Sequence, residues 1–284
     1  MRFEKWQALG NDYLVLEEAA LPWPLTAARV RRLCEPHTGV GSDGVLLLSE
    51  HDDPGYVARL RIFNPDGSEA ELSGNGAREA VLYLHRRGWT QADTFSIQTA
   101  AGEIRPTITG PDTCTLDMGR ARLRSKDFPS GDDAGTGRLT AGGHEWDFQH
   151  VSIGNPQCVI FVADTAELEA LELEALGLEI ERYELFPNRT NVSWAAEVQP
   201  GTIRARIFER GVGETLSSGT GASGAAVAYV LRGAADPRVT VCLDGGELEV
   251  EVEEDLHVSL SGWAVPVYRG ELAEELERDL DATE

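Results

Sequence analysis

The stretch at 69–80, EAELSGNGAREA, returns in altered form at 214–225 as ETLSSGTGASGA. Each copy places Ser-Gly-(Asn or Thr)-Gly-Ala before a run of helix-forming residues, which makes Ser73 and Ser218 the predicted N-caps. The first N–H groups of a helix lack intrahelical partners, and with the helix dipole they favour an anion such as a carboxylate. Capping explains either turn alone, whereas two equivalent turns predict one ligand site formed by both helix starts.

The order of elements around the two turns also repeats. In the first half, short alternating strands are followed by a predicted helix at about 26–36, an apolar strand, a strand that ends in FNPDG, and a helix from about 76 to 87. In the second half, the strand HVSIGNPQCVIFV precedes a predicted helix at about 166–176, two further strands and a helix from about 221 to 231.

This parallel predicts an α+β fold with two domains built alike. We expect an N-terminal domain over residues 1–120 and a C-terminal domain over 121–263. A strand within 264–284 is expected to return to the first domain.

Composition restricts the class of function. A chain of 284 residues with 42% hydrophobic content can bury a full core. The absence of a long apolar run predicts a cytoplasmic protein without a membrane partner, and the net charge of −23 argues against nucleic acid. The four cysteines and six histidines lack metal-ligand spacing, so no metal is expected.

Two familiar cofactors are also disfavoured. Only Lys5 and Lys126 could form a Schiff base, which argues against pyridoxal phosphate. The stretch GVGSDG at 39–44 matches a dinucleotide pattern but follows a helix and enters a strand, the reverse of the order that such a site requires. We interpret it as a glycine-rich turn.

Five blocks of the sequence resemble the signature blocks of the diaminopimelate epimerase family, in the same order over nearly the whole chain. They are GNDYLVLE, FNPDGSEAELSGNGAR, GNPQCVIFV, FPNRTNVSW and FERGVGETLSSGTGA. The resemblance implies a cofactor-independent isomerase that converts LL- to meso-diaminopimelate, a precursor of lysine and peptidoglycan. It also implies two pseudo-symmetric domains, each a central helix wrapped by a mostly antiparallel, β-barrel-like sheet, and a homodimer.

The resemblance further implies which residues hold the amino-acid substrate. They are Asn11, Asn64, Gly74, Asn75, Asn155, Asn191, Glu209, Arg210, Gly219 and Thr220. Elementary chemistry is consistent with these roles, because removing an α-proton requires a base, an acid, and stabilisation of the charge that builds on the carboxylate. Asparagine amides can pair with both the ammonium and the carboxylate of an amino acid.

Three positions depart from the family pattern. The catalytic acid and base of the family are cysteines, and here they are Ser73 and Ser218; the family histidine of the GNPH block is Gln157. An alcohol ionises several units above a thiol, at about 1.4 kcal/mol per unit, so serine is a poor base. Three coordinated changes favour natural divergence over introduced substitutions.

Three functions therefore remain open at this stage. The first is an amino-acid epimerase of this family with weakened proton transfer. The second is an isomerase of the same fold that uses another base, such as Glu209, on a different substrate. The third is a non-catalytic protein that binds an amino acid.

Overall fold

The computed structural model describes residues 1–283 and divides into two compact units. Unit 1 contains Met1–Leu116 and the segment from Gly262 on, and unit 2 contains Asp117–Ser261. The strands are β1 (Arg2–Ala8), β2 (Asn11–Glu17), β3 (Val45–Ser49), β4 (Ala58–Phe63), β5 (Glu69–Ala70), β6 (Ile97–Thr99), β7 (Gly102–Ile104), β8 (Thr107–Ile108), β9 (Thr113–Arg120), β10 (Thr136–Ala141), β11 (His144–Ser152), β12 (Pro156–Phe161), β13 (Asn191–Gln199), β14 (Thr202–Glu209), β15 (Gly213–Thr215), β16 (Arg238–Leu243), β17 (Gly246–Val252), β18 (His257–Trp263) and β19 (Val265–Glu271). The α-helices are α1 (Ala27–Cys34), α2 (Gly74–Arg86), α3 (Thr165–Glu169), α4 (Leu173–Glu181), α5 (Gly219–Leu231) and α6 (Glu274–Asp281).

Unit 1 is a mixed sheet packed against α2. Strand β1 pairs antiparallel with β2 and with β19, β2 pairs parallel with β3, and β3 pairs antiparallel with β4. Strand β4 then pairs antiparallel with β5 and parallel with β6, and β6 pairs antiparallel with β7. Helix α2 packs on β1, β2 and β3.

Unit 2 repeats this pairing scheme. Strands β11 and β12 are antiparallel, β12 and β13 parallel, and β13 and β14 antiparallel. Strand β14 pairs antiparallel with β15 and parallel with β16, and β16 pairs antiparallel with β17. The two halves are therefore pseudo-symmetric, which confirms the predicted α+β fold class. Within residues 1–283, the strand order of unit 1 runs openly from β19 to β7, so its sheet is not a closed barrel.

The two central helices are buried on nearly all sides. Helix α5 packs on β11, β12, β13, β14, β16 and β17, and its residues are mostly Ala, Gly and Val, whose small side chains let the strands approach from every direction. Helix α2 is buried from Asn75 to Leu84 and includes two fully buried charged residues, Arg78 and Glu79. Ser73 and Ser218 are the N-caps, as predicted, and the helices begin at the next glycine, two residues before the predicted starts at about 76 and 221.

Two predicted elements were wrong in detail. The helix expected at 166–176 is two helices, α3 and α4, and the Arg206 guanidinium donates to the carbonyls of Leu168 and Leu171 at their junction. The single strand expected from HVSIGNPQCVIFV is β11 and β12, separated by a turn in which Gly154 has φ of +91°.

Helix α6 was not predicted from the sequence. Leu280 in this helix is fully buried, and its carbonyl accepts a hydrogen bond from Arg29 at 2.8 Å. None of the helices within residues 1–283 is long and apolar enough to span a membrane.

Candidate functional site

The Ser73 turn in unit 1 places a hydroxyl at the start of α2. Ser73 has an extended backbone, and its Oγ accepts a hydrogen bond from the Gly76 N–H at 3.1 Å. A Cβ at Gly76 would lie 3.0 Å from the Leu46 side chain, so glycine allows β3 and the turn to pack closely. The resulting N-cap aims the first N–H groups of α2, at Gly74 and Asn75, out of the helix end.

A chain of hydrogen bonds fixes two of the predicted asparagines beside this turn. Asn75 is 5% exposed and donates from Nδ2 to Asn11 Oδ1 at 3.2 Å. Asn11 in turn donates to Asp43 Oδ2 at 2.9 Å, and Arg78 donates to Asn75 Oδ1 at 2.5 Å. The structure thus brings Asn11 and Asn75 together, with both amides held by charged groups.

Asn64 occupies a tight turn directly after β4. Its backbone N–H donates to the Ser68 carbonyl at 2.8 Å and its Nδ2 donates to Ser68 Oγ at 2.9 Å. The bonds of Asn64 stay inside its own turn, and its predicted role in binding substrate stays a prediction.

Two adjacent ionisable residues of α2, Arg78 and Glu79, are fully buried behind the turn. Burial lowers the pKa of Arg78 to about 10, which still leaves the guanidinium charged near neutral pH. Burial also raises the pKa of Glu79 well above its ordinary value, while the Arg78 charge opposes this shift. The net effect is that Arg78 supplies a fixed positive charge near the start of α2.

The Ser218 turn in unit 2 has the same geometry. Ser218 is 4% exposed, caps α5, and accepts from the Gly221 N–H at 3.2 Å. A Cβ at Gly221 would lie 2.7 Å from the Ile207 side chain, the counterpart of the Gly76 contact in unit 1. Gly219 and Thr220 are the first residues of α5, as Gly74 and Asn75 are of α2.

A carboxyl group lies against the Ser218 hydroxyl. Glu209 is the last residue of β14, and its side chain accepts from Thr215 Oγ1 at 3.0 Å and is hydrogen bonded to Ser218. Burial raises the pKa of Glu209 above its ordinary value, and the bonds from Thr215 and Ser218 oppose that shift. Glu209 is therefore a stronger base than an exposed carboxylate and can receive the Ser218 proton.

Gln157 aligns Asn155 with the start of α5. Gln157 is fully buried and donates from Nε2 to Asn155 Oδ1 at 2.7 Å, and Asn155 donates to Thr220 Oγ1 at 3.1 Å. The Gln157 side chain packs against α5, since a Cβ at Gly224 would lie 2.8 Å from its Cγ. Gln157 thus supports Asn155, but an amide cannot exchange a proton as an imidazole does.

The loop before β13 holds Arg210 at two points. Asn191 Oδ1 accepts from the Arg210 backbone N–H at 2.8 Å, and the Asn188 carbonyl accepts from the Arg210 guanidinium at 2.8 Å. Asn188 is itself held by Asp127, whose Oδ1 accepts from its amide at 2.8 Å. Asn191 and Arg210 are therefore adjacent, with the exposed guanidinium tethered by one of its nitrogens.

Sequence reasoning missed the groups that support the predicted residues, three side chains and the backbone carbonyl of Asn188. Tyr13 donates from its hydroxyl to Ser73 Oγ at 3.3 Å, and Asp43, Thr215 and Asn188 hold Asn11, Glu209 and Arg210 respectively. Tyr13 lies two residues after Asn11 in the block GNDYLVLE, so its place beside a predicted site residue could have marked it as a candidate. The other three come from separate loops or, for Thr215, from β15, and only the folded chain places them.

Each unit contributes one serine at a helix start, with asparagines around it. The side chain that contacts the serine is Tyr13 in unit 1 and Glu209 in unit 2. That the two hydroxyls serve one substrate stays a prediction of the repeated motif. Among residues 1–283, no group of three or more His, Cys, Asp or Glu side chains could hold a metal ion.

Comparison with known proteins gives a consistent result. The model of the family described as diaminopimelate epimerase matches residues 3–124 and 149–270. The chain is 40% identical over 282 residues to the diaminopimelate epimerase of Synechococcus sp. (strain JA-3-3Ab), covering 96% of this chain and 99% of that protein. It is also 40% identical over 283 residues to the enzyme of that name from Pelotomaculum thermopropionicum, covering 95% and 98%.

Among solved structures, the chain is similar to a hydroxyproline epimerase from Agrobacterium vitis with bound trans-4-hydroxy-L-proline. The TM-score is 0.67 at 17% identity, over 95% of this chain and 91% of that one. At this identity the likeness supports the fold alone.

Proposed function

The chain belongs to the diaminopimelate epimerase family, and from that premise we propose that it is a cofactor-independent isomerase acting at the α-carbon of diaminopimelate, in lysine biosynthesis. Ser73 and Ser218 occupy the acid and base positions. The partner of the site is a small amino acid with a free α-carboxylate, and the homodimer implied by the family stays a prediction. Proton transfer through two hydroxyls is slower than through two thiols, because an alcohol is the weaker acid.

The hydrogen bond between Glu209 and Ser218 carries this proposal. A serine hydroxyl can accept an α-proton only if its own proton leaves, and the Glu209 carboxylate is in position to take it. In this step the Cα–H bond breaks and a new Ser218 O–H bond forms. The original Ser218 proton moves to Glu209, and the electron pair stays on the substrate carbanion.

The helix starts supply the charge stabilisation that this step requires. The carbanion delocalises onto the α-carboxylate, which gains negative charge as the proton leaves. N–H groups at Gly74 and Asn75, or at Gly219 and Thr220, offer fixed positive dipole ends that do not have to reorganise during the reaction. Arg210 and the asparagines Asn11, Asn64, Asn155 and Asn191 would orient the carboxylate and the ammonium.

A second candidate is binding of the amino acid without turnover. It is favoured by Gln157, which is buried where the family has a histidine and is engaged with Asn155 rather than with a proton-transfer group. Under this candidate the chain retains the substrate-binding residues, and the hydroxyls of Ser73 and Ser218 act only as caps. A third candidate keeps Glu209 as base but uses a different amino acid.

Deuterium exchange separates these candidates. Exchange of the α-proton of meso- and LL-diaminopimelate in D2O is followed by NMR, and binding by calorimetry. We expect slow exchange in the serine protein and a loss of about 100-fold in Glu209→Gln, the lower end of what a general base contributes. Glu197→Gln is the matched control, because Glu197 is an exposed glutamate on β13.

Restored cysteines give the second arm of the experiment. The double variant Ser73→Cys, Ser218→Cys should exchange and invert faster, and adding Gln157→His should raise the rate further. Exchange only after cysteines are restored would select the binding candidate for the serine protein. A triple variant that folds and binds meso-diaminopimelate, yet shows no exchange, would refute the assignment of these positions. Binding of another amino acid in place of diaminopimelate would select the third candidate.

A further inference from the structure

Tyr13 is placed against Ser73 by the packing of β2. Its side chain is 6% exposed, and its hydroxyl donates to Ser73 Oγ at 3.3 Å. The ring position is set by a close approach of the chain at Gly44, where a Cβ would lie 2.7 Å from the ring carbon Cε1. The phenol is thus held at the capping hydroxyl by rigid surroundings.

The internal repeat relates Tyr13 to the position of Gln157. The segments Gly-Asn-Asp-Tyr at 10–13 and Gly-Asn-Pro-Gln at 154–157 both begin with a glycine of positive φ, +82° and +91°. The repeat likewise relates Asn64 to Glu209, because each lies nine residues before its serine.

Each unit therefore carries one ionisable side chain at this pair of positions. In unit 1 it is a phenol and in unit 2 it is a carboxylate. The other position of each pair is an amide, which cannot transfer a proton.

The two serines are consequently hydrogen bonded in opposite senses. Ser218 accepts from the Gly221 N–H, and its hydroxyl interacts with the Glu209 carboxyl, to which it can donate. Ser73 accepts from both the Gly76 N–H and the Tyr13 hydroxyl. The first arrangement prepares a hydroxyl to accept a proton from substrate, and the second prepares one to donate.

We propose that Tyr13 is the proton source behind Ser73 in the direction of reaction in which Ser218 removes the α-proton and Ser73 returns one; in the reverse direction the two roles exchange. This inference rests on the proposed function. When the carbanion is protonated, the Ser73 O–H bond breaks and a Cα–H bond forms. The Tyr13 proton moves to the Ser73 oxygen. The electron pair of the broken Tyr13 O–H bond stays on the phenolate, which regains a proton from water.

Tyr13 acts through Ser73, so it is a positioning and proton-supplying residue rather than one that touches substrate. A purely structural hydroxyl would affect binding and both proton steps alike. A proton source for Ser73 affects only the step in which Ser73 gives a proton to the substrate carbanion. Proton removal and return through Ser218 on one face exchanges the α-proton without inverting it, and does not need Tyr13.

The test compares inversion with exchange in Tyr13→Phe, which removes only the hydroxyl. Inversion is measured by chiral separation of LL- and meso-diaminopimelate, and exchange by NMR in D2O. The reaction is started from LL- and from meso-diaminopimelate in turn. For the isomer whose α-proton Ser218 removes, we expect the ratio of inversion to exchange to fall at least ~10-fold, with an unchanged Kd for meso-diaminopimelate. Tyr83→Phe is the matched control, because Tyr83 is a buried tyrosine on α2 whose hydroxyl donates to Glu17 at 2.7 Å.

An unchanged ratio in Tyr13→Phe would overturn the inference while leaving the proposed function intact. A parallel fall in exchange, inversion and binding would also overturn it, because that pattern marks a structural role. If the serine protein shows neither exchange nor inversion, its catalytic function fails, and Tyr13 is then tested without substrate.

That separate arm uses Ser73→Cys and measures alkylation of the new thiol at pH 7 by site-resolved mass spectrometry. A hydrogen bond from Tyr13 stabilises the thiolate, so adding Tyr13→Phe should slow alkylation roughly 3-fold or more. Equal rates with and without the tyrosine hydroxyl would refute the contact on which the inference depends.

Discussion

His150 should make the stability of the protein depend on pH between about 4 and 6.5. The residue lies in β11, is fully buried, and has Nε2 at 3.0 Å from Ser125 Oγ. Burial lowers its pKa from 6.5 to about 4, although the nearby Asp127 carboxylate opposes that shift. The folded protein therefore keeps the imidazole neutral at pH values where the unfolded chain binds a proton.

The sign and size of the change in the free energy of unfolding with pH follow from this difference in pKa. Because the unfolded state binds the proton first, the free energy of unfolding falls as the pH falls below 6.5. A pKa of 6.5 unfolded and about 4 folded lowers the free energy of unfolding by about 2 kcal/mol at pH 5 and about 3 kcal/mol at pH 4. Above pH 7 the contribution to pH dependence vanishes.

The assay is urea unfolding of the protein and of His150→Gln at pH 8, 7, 6, 5 and 4. Other groups also titrate in this range, so the measured quantity is the difference in pH dependence between the two proteins. We expect the variant to lose about 2 kcal/mol less than the parent between pH 8 and pH 5. His144→Gln, at an exposed position of the same strand, is the control. Parallel curves for the parent and His150→Gln would refute the reasoning.

Two further changes test buried contacts within unit 1. Glu4 is 4% exposed and forms an ion pair with Arg269, whose Nε lies 2.9 Å from Oε1, so Glu4→Gln should lower the free energy of unfolding by about 2 kcal/mol in urea. A loss below about 0.5 kcal/mol would contradict a stabilising ion pair. Gly44→Ala would place a Cβ 2.3 Å from the Phe63 carbonyl oxygen and should lower the free energy of unfolding by about 2 kcal/mol or more. The control is Gly55→Ala, whose Cβ would meet only the Asp53 side chain and should change the free energy of unfolding by no more than about 0.5 kcal/mol in the same assay.

Local signals in the sequence were sufficient for the central helices. Ser73 and Ser218 were predicted as N-caps, and both helices begin at the next residue. An N-cap depends on residues within one turn, and the burial of α5 is indicated by its composition, which is mostly Gly, Ala and Val. The repeated order of elements likewise predicted two domains of the same fold.

Elements that depend on distant partners were not predictable in this way. Between α3 and α4, the carbonyls of Leu168 and Leu171 accept hydrogen bonds from Arg206, which comes from the distant strand β14. Helix α6 was missed because its burial depends on a contact between Leu280 and Arg29, two residues some 250 positions apart. Hydrophobic periodicity within a short acidic segment carries no information about such a contact.

The same distinction between local sequence and distant contacts applies to the candidate site. The sequence by itself determined which residue types stand at the two helix starts, including the serines in place of cysteines and Gln157 in place of histidine. Only the tertiary structure decided what each serine binds. Ser218 contacts Glu209 because β14 ends beside α5, and Ser73 contacts Tyr13 because β2 packs against α2. A hydroxyl can donate or accept, so its direction of proton transfer is set by these neighbours, and spacing along the chain does not contain that information.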